Sequence, residues 1–174
     1  MPNWRKASCP AKAMDNPSPS VSNPLRFPLF LDLTQKRAVV IGGGKIAARR
    51  VFALLEFVRE ITVIAPELLP ELEALALENR IEVRKREFQQ DDLLGADLAI
   101  TATGVKAVDD LVWQICREKH IPVNVSADQT KCDFFFPGIA RHNNLVAGIT
   151  ACGTDHRLAK RAAEAVRDLF ETIE

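Results

Sequence analysis

"VVIGGGKIAARR", residues 39–50, carries a β-branched run into three consecutive glycines and then straight into an alanine-rich pattern. A continuous apolar run bounded by a turn signal is what a strand buried on both faces of a sheet looks like. Gly42, Gly44 and Ala47 fit G-x-G-x-x-A, the dinucleotide fingerprint with alanine in third place. Gly42 permits the tight turn at the strand end, and Gly44 lets the backbone approach a pyrophosphate with no Cβ in the way. The small Ala47 lets the helix sit close to the strand. The start of that helix then offers unpaired N–H groups and its positive dipole end to phosphate. Glycine-rich strand–helix turns also serve packing alone, so the fingerprint gains its weight from lying between a buried strand and a helix.

Outward from this stretch, short apolar runs alternate with helical patterns. "LFLDL" (29–33) reads as extended, and "AVVI" (38–41) as the first buried strand. Residues 45–58 put Ala47, Val51, Leu54, Leu55 and Val58 on one apolar stripe. Strand "EITVIA" (60–65) and a helix over 68–79 follow, the latter behind the breaker Pro66. "IEVRKR" (81–86) alternates through Ile81 and Val83 and so suits an edge. "DLAITAT" (97–103), a helix over 106–119 and "IPVNV" (121–125) complete the series. Such a succession predicts an α/β, Rossmann-like, doubly wound parallel sheet over residues 25–126. Beyond it, "CDFFFPGIA" and "NLVAGITA" (144–151) read as two more strands, and a helix runs from about Asp155 to the end. Residues 127–174 are therefore expected to form a small α+β module appended to a nucleotide-binding domain, with an apolar helix face for a partner subunit.

With 174 residues, 47% of them hydrophobic, the chain can bury one sizeable core. Its 23 basic and 23 acidic side chains cancel, which argues against nucleic acid or an anionic membrane as partner. No apolar run approaches the roughly 18 residues that span a bilayer. Cys9, Cys116, Cys132 and Cys152 are scattered without a C-x-x-C pair, so they read as free thiols in a reducing cytoplasm. No metal site is indicated. Residues 1–24 hold five of the 10 prolines and lack the hydrophobic core of a secretory signal; they read as a disordered tail.

The fingerprint's second element, an acid about 20 residues on for the ribose hydroxyls, is missing. The second strand ends "IAPE", with Glu67 just past it. Backbone of Pro66 and Glu67 is one substitute, and Arg49 and Arg50 are an alternative that favours a 2′-phosphate, so this strand leaves NAD and NADP open. "TATG" (101–104) ends a strand beside the binding crevice, where Thr103 and Gly104 suit hydrogen bonding and close approach to a ribose.

"FPLFLDL", "VVIGGGKIAARR", "ITVIAPE", "PVNV" and "CDFFFPGIA" occur in this order and at these intervals in one known family. The chain resembles the precorrin-2 dehydrogenase / sirohydrochlorin ferrochelatase family, the N-terminal module of sirohaem synthases, over about residues 27–170. That resemblance implies NAD-dependent oxidation of precorrin-2 to sirohydrochlorin, in some members with insertion of ferrous iron, by a homodimer. It carries cofactor positions onto Gly42, Gly44, Lys45, Ile46, Pro66, Glu67, Thr103 and Gly104, with Pro66-Glu67 as a ribose-side backbone contact and NAD as the cofactor.

Precorrin-2 bears eight carboxylates, so its site calls for cations. Lys131, Arg141, His142, His156, Arg157, Lys160 and Arg161 are concentrated in the C-terminal module, with Lys131, Arg141, His142 and Arg157 the expected substrate contacts. The chain departs from the family in three places. The family's proton acceptor is an aspartate in a segment such as "NVVD"; here "NVSADQ" puts Ala127 at that position and Asp128 one residue later. Asp128 is the expected catalytic group, with Asp133 and His142 as alternatives. The turn before the last helix reads "TACGTDHR" (150–157), where Gly153 remains and Thr154 or Asp155 caps the helix. Family members also continue into a helical bundle that covers the cleft and is absent from this sequence, so either a more open cleft or one closed by another protein is expected. The rival to an enzyme is a non-catalytic dinucleotide- or tetrapyrrole-binding protein of the same fold, motivated by Ala127.

Overall fold

The computed structural model describes residues 25–173, so the expected tail over 1–24 lies outside the described residues. In chain order the elements are β1 (Arg37–Ile41), α1 (Lys45–Leu54), β2 (Glu60–Ile64), α2 (Pro70–Leu77), β3 (Glu82–Arg84) and β4 (Leu98–Thr101). Then come α3 (Lys106–Glu118), β5 (Val123–Val125), β6 (Gly138–His142), β7 (Leu145–Ile149) and α4 (His156–Phe170). The first five strands form one sheet in the order β3-β2-β1-β4-β5, every pair parallel. The chain works outward from β1 to β3, crosses back, and resumes at β4. That reversal opens a crevice at the carboxyl ends of β1 and β4, where doubly wound folds bind ligands.

Both faces of the sheet are covered, which is why β1 reads as an unbroken apolar run. Ala38, Val40, Val63 and Ile100 pack with Ala47, Val51 and Leu54 of α1 and Leu72 and Leu75 of α2. Val39, Ile41, Ala99 and Val123 pack on the other side with Val112, Ile115 and Cys116 of α3.

Several expected boundaries shift, four of them with a visible local cause. α1 ends at Leu54 rather than near 58, and Phe57 and Val58 close a turn by donating N–H bonds to the Leu54 carbonyl. α2 starts at Pro70 instead of 68. Proline suits the first helical position because its missing N–H would have had no partner there. Leu69 stays extended, and its N–H donates to the Gly43 carbonyl at 3.0 Å. "LFLDL" joins neither sheet, and Leu29, Phe30 and Leu31 are exposed.

The fourth shift falls in "CDFFFPGIA", which becomes a strand only at Gly138. Its first half instead runs beside β5, an edge strand whose backbone groups need partners. Asp133 N–H donates to the Val123 carbonyl at 2.9 Å, Val123 N–H donates to Asp133 Oδ2 at 3.0 Å, and Asn124 Nδ2 donates to the Phe134 carbonyl at 2.8 Å. Phe134 and Phe136 then pack against the α1 face of the core.

The C-terminal module is an antiparallel β6–β7 hairpin under α4. Its two-residue turn needs a left-handed first residue, supplied by Asn143 at φ +50°. A Cβ on Gly138 would lie 3.0 Å from the Ala163 Cβ, so the glycine lets α4 settle close to the hairpin. Asp155, not Thr154, caps α4, its Oδ1 accepting the Leu158 N–H at 2.9 Å.

Candidate active site

The turn after β1 is locked from both sides. Gly42 sits at φ +121°, and a Cβ there would fall 2.4 Å from the Ala102 carbonyl oxygen. Its N–H donates to the Ile64 carbonyl of β2 at 2.9 Å. Gly43 is the tightest glycine of the three: a Cβ would lie 2.0 Å from the Glu67 carbonyl oxygen. The fingerprint assigns nothing to Gly43, and no local signal marks it, because its constraint comes from a loop 24 residues away. Thus "APE" and the glycine turn are in direct backbone contact, which sets the Pro66-Glu67 backbone beside the turn.

Gly44 differs in kind. No protein atom lies within 4 Å of where its Cβ would be, and it occupies the N-cap of α1 without a side chain to satisfy the first-turn N–H groups. Gly104, at φ +74°, is open in the same way. Protein therefore closes around Gly42 and Gly43, while Gly44 and Gly104 present bare backbone to the crevice. Uncapped N–H groups, an exposed glycine backbone and the helix dipole fit a dinucleotide's pyrophosphate. Lys45 and Ile46 stand exposed in the first turn of α1, and Ala47 is fully buried against the sheet. Arg50, left open as a 2′-phosphate ligand, turns inward: its guanidinium lies 4.3 Å from the centre of the Phe136 ring.

On the far side of the crevice Thr103 is tied down. Its hydroxyl donates to Asp109 Oδ1 at 2.7 Å and accepts the Val105 N–H at 3.0 Å. Asp109 has 2% exposure and was not singled out by its sequence pattern. A signal was present: Asp109, Val112 and Cys116 share the buried stripe of α3, so a carboxylate stands where an apolar residue belongs.

Asp128 follows β5 at the same end of the sheet. Its Oδ1 accepts both the Thr130 hydroxyl, at 2.6 Å, and the Thr130 N–H, at 3.0 Å. These bonds, helped by the Lys131 ammonium 4.0 Å away, hold its carboxyl below the usual carboxylate range. Lys131 is itself engaged, paired with Asp110 and lying 5.1 Å from the Trp113 ring centre. Asp133, an alternative base, is committed elsewhere: Oδ2 accepts the Val123 N–H at the start of β5, and Oδ1 pairs with Arg117 at 3.1 Å. The start of β5 is the end of the sheet opposite the glycine turn. A cavity of about 240 Å³ lined by Cys116, Arg117, His120 and Asp133 lies at that end too, away from the crevice. Arg141 pairs with Glu56 just past α1, His142 ends β6, and Arg157 is exposed in the first turn of α4. The structure thus brings Asp128 and Lys131 together, while Arg141, His142 and Arg157 are spread over the appended module. Among the described residues no three His, Cys, Asp or Glu side chains gather to hold a metal ion, and no helix is long and apolar enough to cross a membrane.

A family described as "Putative NAD(P)-binding" matches residues 29–138. The chain belongs to this family. Among relatives, the "Probable multifunctional siroheme biosynthesis protein HemA" of Ruminiclostridium josui is 35% identical over 150 residues, 86% of this chain and 29% of the relative. A "Siroheme synthase" of Pseudoalteromonas translucida is 36% identical over 144 residues, 83% of this chain and 30% of the relative. The chain therefore spans about 30% of the length of such relatives. Among solved structures, "SirC, precorrin-2 dehydrogenase" superposes with a TM-score of 0.70 at 26% identity, covering 86% of this chain and 72% of that one. The family match agrees with the glycine turn, and the structural likeness extends beyond it into the C-terminal module.

Proposed function

We propose that this protein oxidises precorrin-2 to sirohydrochlorin with NAD, as a dehydrogenase of sirohaem biosynthesis. The observation that carries this reading is the likeness to SirC over 86% of the chain, in a fold whose glycine turn leaves Gly44 and Gly104 open to the crevice. Bound NAD would supply the hydride acceptor; the reaction also releases one proton from the substrate. The backbone at Gly42, Gly44, Lys45 and Ile46 holds the pyrophosphate, with Pro66, Glu67, Thr103 and Gly104 on the ribose sides. Asp128 takes the proton: the Thr130 bonds orient its carboxylate after β5, and by holding its pKa down they keep it ionised at the expense of basicity. Lys131, Arg141, His142 and Arg157 meet the substrate's carboxylates, and residues 127–174 serve as the substrate and dimerisation module.

NAD is favoured over NADP by what the nearby guanidiniums do. Arg50 lies on Phe136, and Arg84 and Arg86 are bound to Asp92, so these three are engaged, while Arg49, exposed on α1, is the member of the original pair left open to a 2′-phosphate. Exposed apolar residues of α4 (Leu158 and Leu169) support a homodimer. The described Cys116 and Cys132 are free thiols and support a cytoplasmic setting.

The test is precorrin-2 turnover, followed as NADH formed, with NAD and NADP compared. Ala127 supports a second reading, a non-catalytic binding protein of this fold. Tight NAD binding without turnover, and turnover gained by Ala127→Asp, would favour that reading over the first.

A further inference from the structure

We propose that Asp109 is a positioning residue that sets the shape of the dinucleotide site. The inference rests on the dinucleotide reading but needs no particular substrate.

Three donors converge on one oxygen of this buried carboxylate. The Thr103 hydroxyl donates to Oδ1 at 2.7 Å, the Thr103 N–H at 3.3 Å, and the Thr101 hydroxyl reaches the same atom. The Thr103 proton goes to Asp109 rather than to the Val105 carbonyl, which is farther off at 3.3 Å. Oδ2 is buried and has no hydrogen-bond partner among the described residues. A buried carboxylate with one oxygen left bare is costly, and a fold that needed only packing would place an apolar side chain on this stripe.

What the cost secures is the strand-to-helix turn of "TATG". Thr101 and Thr103 flank Ala102, and all three are drawn toward α3 through the one carboxylate. Ala102 in turn donates its N–H to the Ile41 carbonyl at 2.8 Å, and its own carbonyl is the wall against which Gly42 is packed. A continuous line therefore runs from Asp109 through Thr101 and Thr103 to Ala102 and on to the phosphate turn. Asp109 touches no ligand in this scheme. It fixes the backbone on which Gly42 and Gly104 take their left-handed conformations.

The test is NADH affinity by fluorescence titration, with thermal melts, for wild type, Asp109→Ala, Asp109→Asn and Thr103→Val. Asp109→Ala is expected to weaken NADH by about 10-fold or more, the loss of several buried bonds to a charged group. Asp109→Asn restores affinity to within about threefold of wild type, because its amide oxygen accepts the same three donors. Thr103→Val, which removes one donor at the half-exposed end of the line, weakens NADH by about threefold. In turnover, Asp109→Ala raises KM for NAD while kcat at saturating NAD stays within about twofold. A folded Asp109→Ala that binds NADH as wild type does overturns the proposal. If that variant fails to fold, wild-type affinity in Thr103→Val overturns it instead. Wild-type protein that binds no NADH would overturn the dinucleotide reading itself, and this inference with it.

Discussion

At the cofactor end of the crevice, backbone holds backbone: Gly42 abuts Ala102, Gly43 abuts Glu67, and Leu69 donates to Gly43. In the turn after β5 and in the appended module, single charged side chains stand on turns and exposed faces: Asp128 on its Thr130 bonds, Lys131 against Asp110, Arg141 against Glu56. Backbone contacts of the first kind tolerate almost no change in the residues that make them. Solvated ion pairs of the second kind contribute little to stability and leave their residues free to change. The contrast matches the sequence, which keeps the full glycine turn yet carries Ala127 where the resembled family has its aspartate.

The largest expected effect lies with Asp128. Asp128→Asn should lower kcat by about 10²- to 10⁴-fold, the usual contribution of a positioned proton acceptor, with NADH affinity unchanged. Because the Asp128 pKa is lowered, wild-type kcat/KM should fall only when pH drops below the ordinary carboxylate range, and the variant should lack that acidic limb. A variant that retains wild-type kcat would remove Asp128 from the chemistry.

The glycines sharpen the comparison within the cofactor half. Gly43→Ala must push the Glu67 loop away and should cost about 100-fold in NADH affinity, together with stability. Gly44→Ala meets no protein atom, so its melt should stay within about 0.5 kcal/mol of wild type while NADH binding falls. Equal stability losses in the two variants would contradict the division between closed and open glycines.

Asp92 tests bracing without chemistry. Its carboxylate has 1% exposure and holds Arg84 at 2.8 Å and Arg86 at 2.6 Å, while it also accepts the Gln89 N–H. The two arginines are about one-third exposed, so solvent screens the pairing and Asp92→Ala should cost about 2 kcal/mol, less than a deeply buried pair. Arg86 beside it holds the Asp92 carboxyl far below the usual range. Its contribution is therefore full at neutral pH, declines as pH falls below the ordinary carboxylate value, and vanishes below the lowered one. Denaturant melts from pH 7 down to pH 3 on wild type and variant would show the gap narrowing.

The smallest effect belongs to Arg141→Ala. Its exposed pair with Glu56 should contribute no more than about 0.5 kcal/mol, whereas KM for the tetrapyrrole should rise severalfold. A stability loss without a change in KM would make Arg141 a structural residue.

The parallel sheet was legible because β1, β2 and β4 are buried on both faces and so read as unbroken apolar runs. Local rules also marked Gly42 and Gly44. The start of α2 was misplaced although Pro70 announces a first helical position, because the run from Leu68 hid the extended Leu69. Gly43 and Asp109 were not legible as site residues, since each is defined by contacts across the fold. "CDFFF" read as a strand because its apolar run is strand-like, but its backbone bonds go to the edge of β5. Pairing of Asp133 with the β5 backbone removed one alternative base that sequence alone had left open.

One measurement bears most directly on the central claim: anaerobic incubation of the protein with precorrin-2 and NAD, read as absorbance at the NADH band and as sirohydrochlorin formed. One NADH per sirohydrochlorin, with NAD preferred to NADP, is the expected result. Tight binding of both ligands with neither product formed would contradict it.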